Sequence, residues 1–96
     1  MTVKELGTRM VTNLEGTAYE LVSFDMRQAA DRVGVHRVTT SAFDRENQFL
    51  FEVVAPPCAE DGIAASRAQT EQHAEDRLRG YTSAPGDRDR AGAGAD

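Results

Sequence analysis

The chain has 96 residues, a single cysteine and a formal net charge of −5, a size for one domain and a composition that argues against a disulfide framework. Leu, Ile, Val and Phe supply only 18 residues, sixteen of them between Val3 and Val54, so the expected core is small and belongs to the first half of the chain. No apolar run approaches the roughly 18 residues of a membrane span. The first residues lack the basic-then-apolar order of a signal peptide, and a globally acidic chain is not steered to nucleic acid by its net field. These features predict a cytoplasmic protein that makes no membrane contact.

Residues 8–24 read as a β-hairpin. Thr8–Thr12 and Thr17–Phe24 are rich in β-branched and aromatic residues, and Asn13-Leu14-Glu15-Gly16 between them supplies a turn. In the second arm Tyr19, Leu21 and Ser23 fall on one side and Ala18, Glu20, Val22 and Phe24 on the other. That mixture predicts a strand partly covered on both faces.

A helix is expected over residues 25–34. Asp25 is a good N-cap and Gln28 stands three residues later, as in a capping box. Met26, Ala29, Ala30 and Val33 share one apolar face, Arg32 sits in the last turn, and Gly34 follows as a stop residue.

Two continuations leave Gly34. In the first, Ala30, Val33, Gly34 and Val35 make a turn, and Ala-Ala-Asp-Arg-Val-Gly-Val-His-Arg-Val-Thr-Thr-Ser-Ala-Phe resembles the bacterial helix-turn-helix family over about a fifth of the chain. The resemblance implies a winged or helix-turn-helix domain with a recognition helix from Arg37 to Arg45. Arg27, His36, Arg37, Thr39, Ser41 and Arg45 would then contact DNA. Residues 27–45 carry a local surplus of two positive charges, which suits that reading. In the second, Val35–Phe43 is a strand, Asp44-Arg45-Glu46-Asn47 a polar turn, and Gln48–Val54 the returning strand. Val38-Thr39-Thr40 is poor helix material, so the strand is preferred. The fold expected is then α+β: a small antiparallel sheet in ββαββ order, one packed helix, and a helix at the C-terminal end.

On the last strand Phe49, Phe51 and Val53 should face one way, and Leu50, Glu52 and Val54 the other. Pro56-Pro57 ends it. Residues 58–79 suit a second helix, with Glu60 and Asp61 near its start, Arg77 and Arg79 near its end and Gly80 after it. Its apolar stripe is thin: Ile63, Ala64, Ala68, Ala74 and Leu78. Residues 82–96, rich in Gly and Ala, read as disordered. The division expected is a core domain over 1–57, a helix over 58–80 and a tail over 81–96.

No catalytic constellation is legible. Cys58, His36 and His73 match no zinc spacing, and Cys58 and His73 would lie about four turns apart on one helix. No glycine loop is built to cradle a phosphate. Catalytic, cofactor and metal sites are therefore not expected. Apolar residues on both sides of strand 47–54 imply that something covers each face. The function expected is non-enzymatic macromolecular binding by a regulator, adaptor or inhibitor, with a protein partner or a second copy meeting Phe49, Phe51, Ile63 and Leu78. The alternative is a DNA-binding transcriptional regulator.

Overall fold

The computed structural model describes residues 2–27 and 31–81. Alternating β-branched and aromatic residues build strands β1 (Thr2–Thr12), β2 (Ala18–Arg27), β3 (Val38–Phe43) and β4 (Phe49–Val54). A 3₁₀ turn at Glu60–Gly62 leads into helix α1 (Ile63–Arg79). The strands form one antiparallel sheet in the order β1-β2-β3-β4, and α1 lies across one face of it, touching every strand. The fold is α+β, with all strands preceding the helix.

Two turns of the same design close the outer hairpins. Asn13 Oδ1 accepts the backbone N–H of Glu15 (2.9 Å) and Thr17 (2.8 Å). Asp44 Oδ1 does the same for Glu46 and Gln48, both at 2.9 Å. Each turn then needs one left-handed residue, Gly16 at φ 85° in the first and Asn47 at φ 62° in the second. Asn13 also ties the first turn to the end of α1: its Nδ2 donates to the Tyr81 carbonyl at 2.9 Å. Leu14 N–H donates to the Arg79 carbonyl, satisfying a group the helix leaves open.

The core lies between α1 and the sheet. Val11, Tyr19, Leu21, Ala42 and Phe51 from the strands meet Ala74 and Leu78 from the helix. Tyr81 stands edge-on to Tyr19, with ring centroids 5.9 Å apart. Next to this apolar part runs a buried hydroxyl chain. Ser23 Oγ and Thr40 Oγ1 are 2.8 Å apart, and Thr40 Oγ1 and Thr70 Oγ1 are 2.7 Å apart. Glu71, held by Arg67, accepts from Ser23 Oγ at 3.2 Å. Arg67 reaches β1 where the backbone is bare: a Cβ added at Gly7 would collide with its guanidinium. Gly7 follows an irregularity in the β1–β2 register between Glu5 and Gly7.

Several sequence expectations need correction. The helix expected over 25–34 does not occur among the described residues. Asp25 to Arg27 continue β2, with Asp25 opposite Val38 and Met26 N–H donating to the Arg37 carbonyl at 2.7 Å. Long-range pairing outweighs the local cap signal there, since Asp25 spends its carboxylate on His36. Val33 is 99% exposed, and Gly34 (φ 86°) is the third residue of a tight turn in which Val35 N–H donates to the Arg32 carbonyl. Gln28, Ala29 and Ala30 lie outside the described residues. The order is therefore ββββα and not ββαββ. Val38–Phe43, where the helix-turn-helix alternative needs its recognition helix, is strand β3.

The C-terminal helix is also more integral than its thin stripe implied. Ala64 and Ala68 are exposed, and the buried stripe is Thr70, Ala74 and Leu78. The core is thus shared between the sheet and α1 and not confined to the first half of the chain. Residues 82–96, expected to be a disordered tail, lie outside the described residues.

Candidate interaction surface

Strand register sorts the side chains of the sheet into two faces. On the side away from α1 the cross-strand rows can be read directly. Val3 stands beside Met26. Glu5, Phe24, Thr39 and Val54 form the next row, and Thr8, Val22, Ser41 and Glu52 the one after. Met10, Glu20, Phe43 and Phe49 follow. This open face carries most of the large apolar side chains that the helix does not cover. Val3 is 50% exposed, Met10 62%, and Phe49 and Val54 56% each. Val22, Phe24, Met26 and Phe43 are half-buried by their neighbours. The Phe43 and Phe49 rings meet edge to face with centroids 6.0 Å apart.

Along the middle of this face the side chains are small. Thr39 and Ser41, on β3, are only 3% and 7% exposed. They are flanked by Val22 and Phe24 on one side and by Glu52 and Val54 on the other. Glu5, Glu20 and Glu52 all belong to the open face. Arg37 continues the Val3–Met26 row through its bond to Met26, but its guanidinium is held by Asp31 at 2.9 and 3.0 Å.

The residues singled out from the sequence as partner-binding are divided by the fold. Phe49 lies on the open face. Phe51 and Leu78 do not: they are buried between sheet and helix, with the Arg77 guanidinium 3.9 Å from the centre of the Phe51 ring. A shift in the β3–β4 register between Ala42 and Phe43 explains the separation of the two phenylalanines. The extra residue, Leu50, turns Phe49 to the face opposite Phe51. Ile63 begins α1, half-buried in a shallow cleft with Lys4 and Leu6.

The six DNA-contacting candidates are not gathered either. Arg27 ends β2 and donates to the Arg32 carbonyl at 3.3 Å. His36 is bound to Asp25, Arg37 to Asp31, and Thr39 and Ser41 are buried in the middle of the open face. Arg45 lies in the β3–β4 turn, at the other end of the sheet from Arg27 and Arg37.

Sequence reading missed one polar pair. His36 Nδ1 and Asp25 Oδ2 are 2.7 Å apart, both largely buried. Asp25 Oδ1 is buried without a partner among the described residues. His36 also bridges Cys58 through two backbone hydrogen bonds of 2.7 and 2.9 Å. Cys58 in turn packs beside Gly62. The pairing brings Cys58 back to the end of the sheet before α1 begins, and the sequence signal for it was hidden by reading Asp25 as a helix cap. No cluster of three His, Cys, Asp or Glu residues placed to hold a metal ion occurs among the described residues. No helix among them is long and apolar enough to cross a membrane.

Comparison of the chain with protein-family models, with curated proteins and with solved structures returns no match.

Proposed function

We propose that this protein acts without catalysis, by binding another macromolecule through the open face of its sheet, as a regulator, adaptor or inhibitor. The observation that carries this reading is the ladder of Val3, Met10, Val22, Phe24, Met26, Phe43, Phe49 and Val54 on the face that α1 leaves bare. A contiguous apolar patch of this kind is uncommon on the surface of a soluble monomer and marks a contact site. The half-exposed aromatic pair Phe43–Phe49 is the residue type that anchors such contacts. A cytoplasmic site of action fits the single cysteine. Reading DNA is the weaker alternative. Its candidate residues are dispersed, Thr39 and Ser41 are buried, and the open face is acidic where phosphates would require cations.

The test is a photo-reactive phenylalanine analogue placed at Phe49 or, as the off-face reference, at Gln72 on the exposed side of α1. Irradiation in the native cells should give a discrete adduct, with a partner or with a second copy, from position 49 and none from position 72. Equal adducts from both, or none from either, would remove the binding reading.

A further inference from the structure

We infer that the occupant of the open face is a basic amphipathic helix of a partner protein, about four turns long, and not a second copy of this chain. The inference rests on the proposed binding role of that face and names the chemistry of its partner.

Charge decides between the occupants. Glu5 and Glu52 stand on the two outer strands and Glu20 on β2. The nearest cation of that face, Arg37, is already engaged by Asp31. Two copies packed face to face would bring six carboxylates into one interface, and among the described residues the cation in register with that face, Arg37, is already paired. Desolvating unpaired charges is costly, and like charges across an interface repel. A helix bearing Lys or Arg along both margins of an apolar stripe meets the same carboxylates with opposite charge. The chain's net charge of −5 would also speed its approach.

Shape agrees with charge. Strands lie about 4.8 Å apart, so Glu5 and Glu52 flank the face at a separation of roughly 14 Å across the sheet. A helix with its side chains is about 10–12 Å wide, so it fits between them with its flanking cations over the carboxylates. Small Thr39 and Ser41 between the larger side chains leave room for it against Val22, Phe24 and Val54. The six residues of β3 and of β4 each span about 20 Å, the length of a helix of about four turns. The opposite face of the same sheet already accepts α1, a helix of 17 residues, over Leu21 and Ala42.

The experiment titrates the full chain with two synthetic 18-residue helical peptides. Both carry the same Leu/Ala stripe, flanked by Lys in one and by Glu in the other. The Lys peptide should bind and shift the amide resonances of Val22, Phe24, Ser41 and Phe43. Its affinity should fall about tenfold when Glu5, Glu20 and Glu52 are all changed to Gln, the sum expected of several rim charges, and should not change in Glu60→Gln, away from that face. Failure of the Lys peptide to bind, equal binding of the Glu peptide, or shifts centred on His73 and Arg77 instead would overturn the inference. Sedimentation equilibrium separates this outcome from failure of the broader reading. A dimer that dissociates in Phe49→Asp would replace the basic partner with a second copy while leaving the open face a binding surface. A monomer that binds neither peptide, together with no photo-adduct at position 49, would remove both.

Discussion

The two faces of the sheet are built from the same strands and differ in an unexpected direction. On the face covered by α1, Ser23 and Thr40 set hydroxyls into the dry interior, where Thr40 also meets Thr70 of the helix. The bare face holds Met10, Val22, Phe24, Phe43, Phe49 and Val54. Apolar content alone therefore does not say which face is inside. The helix makes the choice. Its stripe of Thr70, Ala74 and Leu78 is small and partly polar, so it lies close to a sheet that offers matching hydroxyls beside Tyr19, Leu21 and Phe51. A buried polar chain is tolerated because its members are partnered.

The sharpest way to break the comparison is to cut the covered face at its apolar centre. Leu78 is fully buried and belongs to the cluster of Tyr19, Leu21 and Phe51. Leu78→Ala should cost about 2–4 kcal/mol, from lost transfer energy and the cavity left behind. In urea this would appear as a lower midpoint with an unchanged slope. A cost under about 1 kcal/mol would mean that α1 does not hold the sheet as described.

The hydroxyl chain should respond less, and not additively. Thr40→Val keeps the shape and removes the oxygen that meets both Ser23 and Thr70. Ser23 still has Glu71, and Thr70 still has the Ser66 and Arg67 carbonyls, each at 3.1 Å. The expected cost is about 1–2 kcal/mol. The double variant Thr40→Val, Thr70→Val should cost less than the sum of the single changes, because neither partner is left unmatched. Strict additivity in a thermodynamic cycle would argue that the two oxygens do not interact.

How much of this was legible depends on whether the signal was local. The two turns were readable because Asn13, Gly16, Asp44 and Asn47 act on their own backbone neighbours. The alternation of Tyr19, Leu21 and Ser23 against Val22 and Phe24 was readable for the same reason, and it is the alternation observed. The segment after Asp25 was misread because a cap residue followed by Ala-rich text is also a local signal, and here a distant strand defeats it. Asp25 pairs with Val38 and bonds to His36, neither of which is marked in the text around position 25. Phe49 was assigned to the face of Phe51 because one extra residue, Leu50, reverses a strand without leaving a mark in the hydrophobic pattern. Of the side chains on the open face, Phe49 was singled out from the sequence. Met10, Phe43 and Met26 were not, because their common face exists only once four strands are in register.

A smaller effect tests the rim of the core. Arg77 covers Phe51 at 3.9 Å from the ring centre. Arg77→Ala should cost about 0.5–1 kcal/mol, part cation–π and part lost packing of the side-chain stem. Arg77→Lys should recover some of this, because Lys keeps the charge and stem but not the flat guanidinium. Equal loss in both variants would assign the effect to the planar contact.

The smallest stability effect is expected where the exposed apolar area is largest, and that contrast is the core of the comparison. Phe49 keeps 56% of its surface exposed, and its main described contact is the edge of Phe43. Phe49→Ser should leave the urea midpoint within the change allowed by about 0.5 kcal/mol, the range of ordinary surface substitutions. An aromatic ring that stabilises its own fold so little is what the proposed contact at this face requires. The same substitution should therefore weaken the peptide binding measured at that face while the protein stays folded. If Phe49→Ser instead lowered stability as much as Leu78→Ala, the open face would be part of the chain's own core and the two faces would differ in name only.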